Sequence, residues 1–140
     1  MKNYSNKKVI VIGAARQGQA LARFFTKRSA EVVVTDYRSA DQLKDELTVL
    51  NQLKVSLNLG GHDEKILDGA SLVCVSGGVP LTIPFIQEAL VRKIKLSNDS
   101  QIFLEECPCT VVGITGSAGK STTTALTGLM AQKTFEMKSN

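Results

Sequence analysis

Lys8–Gly18, KVIVIGAARQG, places a short apolar run against a glycine turn. A continuous apolar run of this length suits a strand buried on both faces of a parallel sheet. Beyond the turn, Gln17 to Ser29 carries Leu21, Phe24 and Phe25 at helical spacing, with Arg23, Lys27 and Arg28 on the opposite side. The local order is therefore strand, glycine turn, helix. The turn itself, GAARQG, follows the spacing Gly-x-Gly-x-x-Gly with Ala15 in the place of the middle glycine. In a dinucleotide site that glycine lets the backbone approach the pyrophosphate, so the Ala15 methyl weakens a dinucleotide reading.

The same alternation continues outward from this unit. Glu31–Asp36, EVVVTD, reads as a second strand, and its terminal acid stands 18 residues after Gly18. An acid there can accept hydrogen bonds from ribose hydroxyls, and Arg38 could answer a phosphate or a base carbonyl. The alternative is a turn acid that caps the helix expected from Asp41 to Leu50. Lys54–Asn58 is a weaker strand stopped by Gly60 and Gly61. Ser71–Ser76, SLVCVS, is another buried-type strand, ending at Gly77, Gly78, Val79 and Pro80. A helix is expected over Ile83–Lys93, a short strand over Lys95–Ser97, and a helix over Ser100–Glu106 capped by Ser100. Ligands of open α/β sheets bind beyond the carboxyl ends of the strands. Gly13, Asp36 and Ser76 with its glycines thus fall on one edge, and a nucleotide or nucleotide-sugar site is the expected function.

Pro108 marks a linker, after which the apolar run Thr110–Ile114 reads as a strand leading into Gly113–Thr124, GITGSAGKSTTT. A loop with Gly116 and Gly119 can turn its amides on phosphate oxygens, while Lys120 supplies charge and the Ser121 hydroxyl can ligate magnesium. The strict Walker pattern would have glycine where Ile114 stands. A helix with Leu126, Leu129 and Met130 on one side follows. One strand and one helix cannot bury a core, so this second unit reads as cut short, and the tail KTFEMKSN is expected to lack regular structure.

Composition excludes several classes. The 140 residues carry a net charge of +4, and no basic run of five or more appears, so nucleic-acid binding is not expected. No stretch approaches the apolar length of a membrane span, and MKNYSNKK runs into a strand without a cleavable apolar segment. Cys74, Cys107 and Cys109 read as reduced thiols without a metal role, the last two being spaced too tightly for a zinc knuckle. His62, after Gly60 and Gly61, reads as an exposed loop residue.

In their order and spacing, the GAARQG turn, TDYR at Thr35–Arg38, SGGVPLTIPFIQEA from Ser76 and GITGSAGKSTTT resemble the N-terminal part of a Mur ligase over Lys8–Gln132. The resemblance implies an α/β chain in two parts. Residues 1–107 would form a Rossmann-like, doubly wound parallel sheet that holds the UDP portion of the substrate. Residues 108–140 would be the first strand, P-loop and helix of a truncated P-loop ATPase-like domain. It implies that Arg16 and Gln17 face the diphosphate, that Asp36, Tyr37 and Arg38 hold the uracil and ribose, and that Ser76, Gly77 and Gly78 close the site. Gly116, Ser117, Ala118 and Gly119 would cradle the ATP phosphates together with Lys120, Ser121 and Thr122, with Lys120 the catalytic cation and Ser121 the Mg2+ ligand. The implied reaction adds D-glutamate to UDP-N-acetylmuramoyl-L-alanine in peptidoglycan synthesis, through an acyl-phosphate, in a cytoplasmic, monomeric enzyme without membrane or nucleic-acid partners. The chain alone is expected to be inactive, since the family's later metal ligand and D-glutamate domain fall beyond it. Ala118 stands where the family usually has Asn, and Gly77 where it has Pro. Two alternatives stay open: an NAD(P)-dependent oxidoreductase domain using Gly13, Gly18 and Asp36, which leaves the Lys120 loop unexplained, and a nucleotide-binding module without turnover.

Overall fold

The structure is a computed structural model that describes residues 2–138. It divides into two compact units, Met1–Glu106 and Cys107–Asn140. In the first, strands β1 (Lys8–Ile12), β2 (Glu31–Asp36), β3 (Val55–Leu59), β4 (Ala70–Val75) and β5 (Lys95–Ser97) form one sheet in the order β3-β2-β1-β4-β5. All neighbouring pairs are parallel. The connections carry helices α1 (Arg16–Thr26), α2 (Lys44–Leu50) and α3 (Pro84–Val91), and α4 (Asp99–Glu106) follows β5.

Alternation along the central strands sorts their side chains into two cores. Val9 and Val11 join Leu21, Phe25 and Ile102 on one face, while Ile10 and Ile12 join Phe85, Ile86 and Ala89 on the other. Both faces of β1, β2 and β4 are covered, which is why each contains an unbroken apolar run, Val9–Ile12, Val32–Val34 and Leu72–Val75. Complete burial of a side chain such as Phe25 or Ile10 contributes about 2 kcal/mol each. β3 lies at the sheet edge and is only half-buried, which accounts for its weaker apolar pattern.

Several local expectations are corrected. The helix expected from Asp41 opens with a 3-10 turn over Ala40–Leu43, capped by a reciprocal Ser39–Gln42 pair, and becomes α-helical only at Lys44. Asn98, not Ser100, caps α4: its Oδ1 accepts from the Gln101 amide at 2.8 Å. In the second unit, helix α5 spans Lys120–Lys138. The strand expected over Thr110–Ile114 does not form, because a strand exists only through a ladder and no second strand is present among the described residues of this unit. The tail continues α5 as far as Lys138, as a stretch free of glycine and proline permits, and Ser139 and Asn140 lie outside the described residues.

Candidate functional site

Strand order reverses at β1: β2 and β3 lie to one side, β4 and β5 to the other. A crevice opens where connections diverge at such a point. Three chain segments are tied together at its base. The Gly13 amide donates to the Thr35 carbonyl at 2.8 Å, and the Ser76 amide to the Ile12 carbonyl at 3.1 Å. Gly13 has φ +100°, and a Cβ on Gly18 would lie 1.8 Å from the Gly13 carbonyl oxygen, so the turn closes onto α1 only with glycine at both positions. Ala15 precedes α1 without a side-chain cap, and its methyl is exposed.

Asp36 locks this edge. Its Oδ2 accepts from the Ala14 amide at 2.8 Å and from Arg38 Nη2 at 3.0 Å, while Oδ1 accepts from the Arg38 amide at 2.9 Å and Arg38 Nε at 3.1 Å. The Arg38 fork also reaches Glu46 at 3.2 Å. Burial alone would push the Asp36 carboxyl upward, but hydrogen bonds from Arg38 and from the Ala14 amide outweigh it and hold the group below its ordinary value. Asp36 is therefore an anion at neutral pH and does not cap the Asp41 segment.

The sequence-predicted residues divide between two neighbouring cavities. The larger, about 550 Å³, is lined by Gly13, Asp36, Tyr37 and Gly78, with an apolar wall that includes Ile12, Val79, Ile83 and Phe85. The other, about 430 Å³, is lined by Gln17, Ser76, Gly77 and Gly78 together with Ser97, Asn98 and Asp99. Gly78 belongs to both. Gln17 is held between two segments: its Oε1 accepts from the Gly77 amide at 2.8 Å and its Nε2 donates to Asp99 Oδ2 at 3.0 Å. Arg16 and Arg38 line neither cavity. Tyr37, 81% exposed, offers a free ring at the mouth of the larger one.

His62 corrects an expectation. It is half-buried, lines the larger cavity, bonds through Nδ1 to Thr35 Oγ1 at 2.8 Å and lies against Phe85 with ring centroids 5.4 Å apart. Burial lowers its pKa against the opposing attraction of Asp36, so the ring is neutral at pH 7. The same rule that singled out Gly13, Asp36 and Ser76 reaches it, since it follows the end of β3. Phe85 is a second lining residue, one that no motif of the sequence singles out.

In the second unit, Gly116 and Gly119 take φ of +148° and +76°. Helix α5 begins at Lys120, and the Lys120 ammonium donates to the Gly116 carbonyl at 2.6 Å. The Thr123 amide closes the first helical bond, to Gly119, so those of Lys120, Ser121 and Thr122 precede any intrahelical partner. Glycines in left-handed backbone, unpaired amides at a helix start and a lysine folded over the loop fit a phosphate group, and the exposed Ser121 hydroxyl fits a phosphate-bound magnesium ion.

Cys107 and Cys109 bring their sulfurs within 3.3 Å, with the Cys109 amide and thiol lowering the pKa of Cys107. Cys74 is buried in β4, and its thiol is pushed up to about 12 by desolvation. Among the described residues no helix is long and apolar enough to cross a membrane.

Comparison with known proteins gives this geometry a setting. The family model described as "Mur ligase MurD-like, N-terminal domain" matches residues 7–98. The chain is 41% identical over 128 residues to a UDP-N-acetylmuramoylalanine--D-glutamate ligase of Syntrophotalea carbinolica, covering 91% of this chain and 28% of that protein. It is 38% identical to the enzyme of that name from Enterococcus faecalis, with the same coverage. Among solved structures, a pseudomurein peptide ligase type C from Methanothermus fervidus superposes with a TM-score of 0.60 at 30% identity, over 84% of this chain and 24% of that one. The chain thus spans little more than a quarter of the length of the curated relatives it matches.

Proposed function

The chain belongs to the Mur ligase family through its MurD-like N-terminal domain, and from that premise we propose that it supplies the nucleotide-holding part of an ATP-dependent, amide-forming ligase. Residues 1–107 act as the domain that receives the UDP end of UDP-N-acetylmuramoyl-L-alanine, and residues 108–140 as the start of the ATP-binding domain. The reaction of the whole ligase joins the alanyl carboxylate to the amine of D-glutamate, with ATP supplying the activation when bound. The site works in the cytoplasm, in a monomer. Binding rather than turnover is what these residues provide by themselves.

One observation carries this reading: Gly13, Asp36 and Gly78, from three strand ends of the family-matched region, border one cavity at the strand-order reversal. A flat base fits between the apolar wall and Tyr37. Gln17, Ser76 and Gly77 stand beside it at the start of α1, where uncapped amides and the Arg16 charge favour a diphosphate. Asp36 and Arg38 act on the ligand mainly through the turn they hold, since their polar atoms already bind one another. In the second unit Lys120 neutralises phosphate charge, the amides from Gly116 to Thr122 orient the phosphates, and Ser121 holds Mg2+. The oxidoreductase alternative accounts for neither the ligase relatives nor the Lys120 loop.

Calorimetric titration of the chain with UDP, NAD, NADP and ATP with Mg2+ tests this. UDP and ATP are expected to bind at separate sites, and Lys120→Ala to weaken ATP at least tenfold while leaving UDP unchanged. Binding of NAD or NADP without UDP would replace the ligase reading with the oxidoreductase one.

A further inference from the structure

The polar network under the larger cavity determines which nitrogen of His62 carries the proton. Thr35 Oγ1 lies 3.0 Å from Asn58 Oδ1, 3.2 Å from the Gly61 carbonyl oxygen and 2.8 Å from His62 Nδ1. Asn58 presents its oxygen here, because the same Oδ1 accepts from the Asp63 amide at 3.2 Å. A hydroxyl has one proton to donate and two lone pairs to offer. Two of the three neighbours can only accept, so the Thr35 proton goes to one of them and the third contact runs the other way. His62 Nδ1–H therefore donates to Thr35. This assignment leaves one acceptor oxygen facing the hydroxyl oxygen with no proton between them, whereas the reverse would leave two.

A neutral imidazole with its proton on Nδ1 carries a lone pair on Nε2. Among the described residues no protein group takes that nitrogen, and His62 lines the cavity. The Thr35 bond and the Phe85 ring fix the imidazole, so the wall presents one oriented acceptor among flat, apolar surfaces.

We propose that His62 Nε2 accepts a hydrogen bond from the ring N–H of a uracil-type base in this cavity and makes His62 a specificity-determining residue. The proposal rests on the nucleotide reading and deepens it by naming the base edge that is recognised. Uracil carries a hydrogen on N3. Cytosine has a lone pair there, which would face the Nε2 lone pair, and an N3-methyl group would collide with it. A site built to pair with a ligand N–H rejects analogues that lack it, since its own polar group is then left unpaired.

The test titrates UDP, CDP and N3-methyl-UDP into the chain and into His62→Asn and His62→Gln. Asn can keep an N–H at the Nδ1 position for Thr35 but has nothing at Nε2, whereas Gln can bring an acceptor oxygen to that reach. The unsubstituted chain is expected to prefer UDP over N3-methyl-UDP and CDP by about tenfold or more. His62→Asn should weaken UDP by about tenfold, bring the preference near one and melt within a few degrees of the parent; His62→Gln should retain part of the preference. UDP binding whose preference is unchanged in His62→Asn overturns this inference alone. Absence of UDP binding in the unsubstituted chain overturns the nucleotide reading and this inference with it.

Discussion

The two glycine turns of this chain, Gly13–Gly18 and Gly113–Thr124, share one local scheme, an apolar run before the turn and a helix after it, and end in different surroundings. Around the first, β1 pairs with β2 and β4, and Gly18 touches the Gly13 carbonyl. Around the second, the apolar run finds no strand among the described residues of its own unit, Val112 is 72% exposed, and Leu126, Leu129 and Met130 of α5 are exposed. A glycine turn can thus form from its own backbone preferences, while a strand depends on neighbours. The features of the second turn that the proposed function assigns to phosphate, left-handed glycines and helix-start amides, need no sheet and are present without one.

Substitutions at glycines within the two helices should separate the regions most sharply. Gly18→Ala forces a Cβ into the Gly13 carbonyl at 1.8 Å, backbone against backbone. A loss of about 4 kcal/mol or more is expected, read as a collapse of the urea-unfolding midpoint. Next in size is Asp36→Asn, which removes half the acceptor capacity from the Ala14 and Arg38 contacts and should cost about 2 kcal/mol. Its pH signature has a definite sign. The folded carboxyl lies below its ordinary 3.8, so the unfolded chain takes up the proton first. The stability from Asp36 is complete above that value and is lost as pH falls through the folded one, and the Asn variant should show a flatter acid limb in its unfolding profile. Smallest is Gly128→Ala in α5, where a Cβ meets nothing within 4 Å. It should raise helicity by circular dichroism, with a gain of about 0.5–1 kcal/mol for that helix and no change in the unfolding of the first unit. If Gly18→Ala were tolerated, or Gly128→Ala destabilised the sheet, the contrast between the two turns would not stand.

The doubly wound architecture was legible because β1, β2 and β4 are covered on both faces and each carries a run of three or four apolar residues. The edge that holds the candidate site was legible too, since strand ends are where such sheets place ligands and Gly13, Asp36 and Ser76 line the cavities there. Other features depend on contacts between distant residues. The division into two cavities comes from Gln17 reaching Gly77 and Asp99, and no local pattern announces a glutamine that bridges segments. His62 was within reach of the strand-end rule and was missed because β3, half-exposed at the sheet edge, gives a faint signal and a lone histidine after two glycines looks like a loop. Leu90 follows Ile86 at helical spacing in α3, which by pattern alone reads as the same buried side, yet it is 48% exposed. Thr110–Ile114 shows the limit of the apolar-run argument, because composition specifies the wish for a partner and not its presence.

Amide NMR shifts during stepwise addition of UDP, followed by ATP with Mg2+, test the central claim most directly. Two separate anion sites predict that UDP moves the signals of residues 13–18, 36–38, 61–62 and 76–79, and that ATP then moves those of 116–122 without reversing the first set. UDP shifts that spare the first group, or a single set of residues answering both ligands, would contradict it.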